Sequence, residues 1–100
     1  MEILKNTQEG TITLAPIGCL DTSAATEFDA ALTSAIEESK TIKLDFSNLE
    51  FISSSALRSI VSARKKLAAN GNSLTLKSLS PLVREVFEMT GLINVFTIEE

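Results

Sequence analysis

The sequence predicts an α/β domain, a small sandwich in which one mixed, mostly parallel β-sheet carries helices on a single face. Three observations lead there. The chain has 100 residues, the size of one domain with one core. Stretches that alternate polar and apolar residues, as half-buried strands do, are interleaved with stretches whose apolar residues recur at helical spacing. These stretches follow the order β-β-α-β-α-β-α-β, and each β-α-β unit implies a right-handed crossover and parallel pairing. Three helices of ordinary length over one small sheet make two layers.

Taken in order, Ile3-Leu4-Lys5 reads as a short opening strand and Gln8-Glu9-Gly10 as a turn. Thr11-Ile12-Thr13-Leu14-Ala15 then alternates, which suggests a hairpin. Pro16 has no N–H to give a ladder, so this strand should fray there or lie near an edge. Gly18 breaks the pattern, and Asp21-Thr22-Ser23 supplies capping oxygens for a helix. Its apolar stripe is Ala25, Phe28, Leu32, Ala35 and Ile36. Glu27 and Asp29 suit the positive end of that helix, whereas Glu37 and Glu38 oppose the negative end and Lys40 offsets them only in part. Thr41 to Phe46 alternates strictly, so Ile42, Leu44 and Phe46 should face the core. Asp45 should point away from it, into solvent or a strand-end hydrogen bond.

Ser47-Asn48 turns the chain, and Leu49 to Ile52 reads as an apolar loop. Ser53-Ser54-Ser55 opens a second helix with Leu57, Ile60, Val61 and Leu67 inward, ended by Asn70-Gly71. Ser73 to Lys77 is a strand with Leu74 and Leu76 inward. Ser80-Pro81 starts a third helix, with serine at the cap and proline at the first helical position. Leu82, Val83, Val86 and Phe87 should be its buried face, Thr90-Gly91 its stop, and Asn94 to Ile98 a last short strand. Phe46, Phe51, Phe87, Phe96 and Met89 are expected in the core, and Cys19 as a small buried side chain.

Composition excludes several function classes. The chain has no His, Trp or Tyr, which removes Ser-His-Asp catalysis and the usual His-containing zinc sites. A single cysteine, Cys19, makes neither an internal disulfide nor a thiolate cluster, and with no disulfide framework the expected setting is the cytoplasm. The longest stretch free of charge, Gly10 to Leu20, is far short of the about 20 apolar residues a spanning helix needs, so no membrane insertion is expected. The start, Met1-Glu2-Ile3-Leu4-Lys5, does not read as a signal peptide. With a net charge of −4 the domain should not bind nucleic acid; the one basic cluster, Arg64-Lys65-Lys66 with Arg58 upstream, reads as a solvated helical face. No Gly-rich phosphate loop and no paired acid and base appear, so an enzyme is not expected, nor a metal or other cofactor.

One stretch stands out: Leu44-Asp45-Phe46-Ser47-Asn48-Leu49-Glu50-Phe51-Ile52-Ser53-Ser54-Ser55-Ala56-Leu57. It delivers three serines to a helix start, where free backbone N–H groups and a partial positive charge favour an anion. From local sequence alone, helix capping is the favoured reading of these serines over a switch. The stretch resembles the STAS family, the domain type of bacterial anti-sigma-factor antagonists. Leu44-Asp45-Phe46 looks like the family's apolar-Asp-apolar strand, and Phe51-Ile52 like its aromatic-apolar pair. Ser53-Ser54-Ser55-Ala56-Leu57 occupies its Asp-Ser-Ser/Thr-Gly-Leu motif. Gly18 with Leu20-Asp21, the Asn70-Gly71 break and the Gly91-Leu92 turn are also similar, so the likeness covers nearly the whole chain. Two positions depart from the pattern: Ser53 stands where the family has Asp, and Ala56 where it has Gly. The first removes a charge, and the second adds a methyl that would stand in the way of a partner backbone.

The resemblance implies a STAS-like sandwich and a binding protein switched by phosphorylation. The phosphorylated residue falls on Ser55, or on Ser54 if the register slips by one. The unphosphorylated protein would sequester an anti-sigma factor serine kinase, and a serine phosphatase would reset it. The implied partner surface comprises Asp21, Thr22, Ser23, Ser53, Ser54, Ala56 and Arg58. For Asp21, a capping role is as good a reading. A second job on the same fold is a constitutive accessory or scaffold subunit of a transporter or another signalling complex. Self-association is left open, a weak homodimer included.

Overall fold

The computed structural model describes residues 1–38 and 41–99. Its elements are β1 (Glu2–Gln8), β2 (Thr11–Leu20), α1 (Thr22–Glu37), β3 (Thr41–Asp45), β4 (Leu49–Ile52), α2 (Ser54–Ala69), β5 (Leu74–Lys77), α3 (Pro81–Met89), a single 3-10 turn (Leu92–Asn94) and β6 (Thr97–Glu99). Five strands lie in the order β1-β2-β3-β5-β6, with β1 antiparallel to β2 and the rest parallel; β4 pairs with β2 in parallel beyond the end of β3. The α/β sandwich with a mostly parallel sheet is therefore the observed architecture.

Alternation along the strands sorts the two faces of the sheet. Ile12 and Leu14 on β2, Ile42 and Leu44 on β3, and Leu74 and Leu76 on β5 are buried, under Phe28 and Leu32 of α1 and Ile60 and Leu67 of α2. The opposite face carries Thr13, Ala15, Lys43, Asp45 and Lys77, lines a shallow hollow of about 550 Å³, and among the described residues has no helix over it. Asp45 behaves as expected of a strand end, its Oδ1 accepting from the Ser47 N–H at 3.0 Å.

The hairpin between β1 and β2 closes through a two-residue turn, Glu9-Gly10, in which both residues have positive φ (50° and 79°). That is the backbone that suits the twist of the flanking strands. Pro16 neither frays β2 nor sits at an edge. The Gly18 N–H donates to the Asn48 carbonyl at 3.0 Å, so two residues earlier the Pro16 nitrogen faces the same side. On that side β3 accompanies β2 only as far as Leu14 and β4 joins at Gly18. The missing donor falls in the gap.

Four expectations are corrected. Leu49–Ile52 is a strand and not a loop, and it adds one β element to the predicted order. It exists because β2 continues past Pro16 and shifts register between Gly18 and Cys19, with Gly18 at φ 98°. The final strand starts at Thr97 and not at Asn94, because the chain first makes a 3-10 turn after Gly91. In α3 only Val83 and Phe87 are buried; Val86 is half-buried and Leu82 is 50% exposed. Phe51 is 45% and Met89 79% exposed, and Cys19 is exposed with its Sγ 4.0 Å from Glu50 Oε2, so none of these three is core. Phe46, Phe87 and Phe96 are buried as expected, the last two edge to face at 5.9 Å. Lys40, expected to offset the acids at the end of α1, lies outside the described residues.

The helix ends follow the predicted chemistry with two exceptions, the start of α3 and the acids of α1. Helix α1 has no acid in its first turn, so Glu27 and Asp29 lie too far along it to suit its positive end, and the capping Asp21 does so instead. Gly71 takes the left-handed conformation after α2 (φ 76°), and Asn72 N–H reaches back to the Leu67 carbonyl at 2.8 Å. Ser80 occupies the cap of α3, but its hydroxyl donates to the Leu49 carbonyl at 2.6 Å instead of receiving a helix N–H. It ties the start of α3 to β4.

Candidate functional site

Two helices begin side by side at one end of the sheet. Leu20 at the end of β2 pairs with Ile52 at the end of β4, so the next residues, Asp21 and Ser53, sit next to each other. The Ser53 N–H donates to the Leu20 carbonyl at 2.8 Å and locks the two strand ends together. Each of these residues has extended backbone and caps the helix that follows. Asp21 Oδ1 accepts from Ala24 N–H at 2.8 Å and from the Ser23 hydroxyl at 3.0 Å. Ser53 Oγ accepts from Ala56 N–H at 3.3 Å. The backbone N–H of Ala24, helped by the Ser23 hydroxyl, holds the Asp21 carboxyl below the usual carboxylate range.

The site residues expected from sequence divide by burial. Asp21, Thr22, Ser23, Ser54 and Arg58 are exposed, Ser55 is half-buried, and Ser53 and Ala56 are buried. Ala56 has no exposed surface at all: its methyl points into the core, so it meets no partner and does not bar one. That corrects its place in the expected partner surface. Ser53 is likewise occupied as a cap. The hydroxyls open to solvent at this end are those of Thr22, Ser23 and Ser54, with Ser55 half-covered and its carbonyl accepting from the Ser59 hydroxyl at 3.3 Å.

Chemically, the start of α2 differs from that of α1. Asp21 places a carboxylate at the positive end of α1. Ser53 is neutral and α2 has no acid in its first turn, so the positive end of α2 is uncompensated. One turn further on, Leu57, Arg58, Val61, Ser62, Lys65 and Leu92 line a groove of about 310 Å³. Sequence reasoning named Arg58 but missed this groove, which needs the chain after Gly91 to fold back as a 3-10 turn against α2. It also missed Phe51 as an exposed side chain opposite Cys19. Among the described residues, no group of three or more Cys, Asp or Glu side chains is placed to hold a metal ion. No helix among them is long and apolar enough to cross a membrane.

A sheet with one helical face, two capped helix starts at one end and an exposed serine beside them define a small α/β domain with a candidate site at that end. Residues 2–100 match the STAS domain family model, and the chain belongs to that family. It is similar to BtrV of Bordetella bronchiseptica, assigned as an anti-sigma factor antagonist, at 32% identity over 82 residues, which is 81% of this chain and 71% of that one. The crystal structure of a Thermotoga maritima protein with the same assignment superposes with a TM-score of 0.90 at 24% identity, covering 98% of this chain and 86% of that one. SpoIIAA of Bacillus, an anti-sigma factor antagonist, superposes in its unphosphorylated form with a TM-score of 0.84 at 25% identity, covering 99% and 88%. In its phosphorylated form the TM-score is 0.77 at 24% identity, covering 99% and 91%. These relatives are regulatory proteins of the antagonist type, and the fold of this chain is theirs.

Proposed function

We propose that this chain is an anti-sigma factor antagonist switched by phosphorylation, with the acceptor serine at the start of α2. Unphosphorylated, it binds an anti-sigma factor that is also a serine kinase. The kinase moves a phosphoryl group from ATP to the serine, forming an Oγ–P bond as the bond to ADP breaks, and the complex parts. A serine phosphatase hydrolyses the ester and restores binding. On this reading the chain is the substrate in these reactions, not a catalyst, and it acts in the cytoplasm.

The observation that carries the proposal is an exposed Ser54 at an uncompensated helix N-terminus, in a STAS chain whose relatives are antagonists. A kinase must draw the acceptor hydroxyl into its own active site. Exposure therefore supports Ser54 ahead of the half-buried Ser55, on which the family resemblance places the acceptor first; Ser53 is spent on its cap. A phosphate adds about −1.5 to −2 charge. Within a desolvated interface it costs binding through repulsion and desolvation, while on the free protein the helix end stabilises it. Asp21, Thr22, Ser23, Ser54 and Arg58 form the exposed surface for the partner. The reading is supported by SpoIIAA, which is similar in fold to this chain in both its unphosphorylated and its phosphorylated form.

The test is peptide mass spectrometry of the protein from its own host in growing and in stressed cells. A single phosphate on Ser54 or Ser55 that varies with condition is expected. Its absence under every condition overturns the switch. The neutral Ser53 at the family's acidic position would then favour the second reading, a constitutive accessory subunit with the serines reduced to a helix cap.

A further inference from the structure

We infer that Arg58 is the internal receptor for a phosphate on Ser54, a pairing within α2 that holds the phosphorylated state in one defined arrangement. The inference rests on Ser54 as the acceptor and deepens that reading.

Helix α2 carries four bases, Arg58, Arg64, Lys65 and Lys66, and no acid in 16 residues. Two of these bases have evident duties. The Arg64 guanidinium stands over the Phe96 ring at 6.0 Å, and Lys66 lies in the last turn, where a cation suits the negative helix end. Arg58 and Lys65 are exposed, and neither meets a carboxylate among the described residues. Ser54 and Arg58 are four residues apart on one helix, so their Cβ atoms stand about 5–6 Å apart on the same face. Lys65 follows Ser54 by eleven residues, about 16 Å along the axis, and is out of reach. The other ionisable groups on β2, on β4 and in the first turns of α1 and α2 are the Asp21 and Glu50 carboxylates and the Cys19 thiol. Asp21 is already held by Ala24 N–H and the Ser23 hydroxyl. The Met1 ammonium also acts on Asp21, but it is paired with Glu27 at 3.0 Å. Arg58 is thus the counter-charge that these elements offer a phosphate, and its fork of donors matches phosphate oxygens. The same side chain lines the groove with Leu57, Val61 and Leu92, so a phosphate that captures it alters that groove as well as the helix start.

The experiment uses the full chain with phosphoserine installed at position 54 during translation, so that no kinase is needed. Phosphorus NMR follows the second phosphate ionisation, ordinarily near pH 6. Arg58 favours the dianion and holds that pKa down. R58Q should therefore raise it, lowering the dissociation constant about two- to threefold, while K65Q should leave it unchanged. The Arg58 side-chain Nε–H signal should also move on phosphorylation. Equal ionisation in wild type and R58Q, or the same rise in K65Q, overturns the pairing. Absence of the phosphate in host cells overturns Ser54 as acceptor and not the pairing chemistry, so the two failures are told apart.

Discussion

The cap of α2 allows a sharp test through substitution of Ser53. The side chain is nearly buried, accepts one helix N–H at 3.3 Å, and sits where its own N–H and carbonyl are both committed, to the Leu20 carbonyl and the Leu57 N–H. Ser53→Ala therefore leaves the backbone in place and strands the Ala56 N–H. Loss of such a cap costs about 1 kcal/mol, within a range of about 0.5–2. For a domain of this size that is a fall in Tm of about 4–8 °C. Ser53→Asp restores the acceptor and places a charge at an uncompensated helix end, a gain of about 0.3–1 kcal/mol less the cost of partly desolvating the carboxylate. Ser53→Asn, a neutral residue of similar shape, isolates the charge. Urea denaturation at pH 7 should rank the variants Asp above Asn and serine, with Ala last. The advantage of Asp over Asn should be lost as pH falls and the carboxylate at the helix end is protonated. An Ala variant as stable as wild type would refute Ser53 as the cap. Equal stability of Asp and Asn at pH 7 would refute the charge argument.

At Asp21 the folded carboxyl is held below its ordinary value, so its stabilising effect is full above that value and disappears as pH falls through the folded pKa. The gap in urea midpoint between wild type and Asp21→Ala should accordingly narrow from pH 7 towards pH 3; a gap independent of pH would count against the carboxylate as cap. Phe28, with no exposed surface, anchors α1 to the sheet, and Phe28→Ala should cost about 3–5 kcal/mol, read as a large drop in the urea midpoint. Ala56→Gly, which restores the family's motif glycine, should destabilise by about 1–2 kcal/mol through helix propensity and the lost buried methyl. It should leave partner affinity unchanged in a binding titration with the purified anti-sigma factor.

Much of the fold was legible because period-two and helical patterns dominate most of the chain. Strands β2, β3 and β5 and the inward stripe of α1 follow directly from alternation and spacing. Strand β4 did not, for a physical reason. Along Leu49-Glu50-Phe51-Ile52 the two middle residues are both exposed and the outer two buried, so no period of two exists to be read. The cause is a bulge in β4 itself: Gly18 pairs with Leu49 and the next residue, Cys19, with Phe51, so Glu50 is an extra residue, a tertiary feature without a local signal. The exposure of Phe51, Cys19 and Met89 escaped notice for a related reason. Apolar character predicts burial only where the facing element is known, and here β4 lies off the main sheet path and Met89 ends α3. The serine cluster was legible as a helix start, but the division of labour within it was not: which hydroxyl caps and which faces water depends on where the helix begins.

That division bears on the two departures from the family pattern. In sequence, Ser53 for Asp and Ala56 for Gly look like losses at the recognition surface. In three dimensions both side chains turn inward, one to the Ala56 N–H and one to the core. The surface at the start of α2 is made by their neighbours Ser54 and Arg58, which remain exposed. The substitutions therefore act first on the stability and electrostatics of α2. Without a carboxylate at the cap, the helix end keeps its full attraction for an incoming anion, and a phosphate on Ser54 would meet one less negative charge than in a chain with the family's acid. On the proposed reading, the altered motif would hold the phosphorylated state more firmly and would not close the interface to its partner.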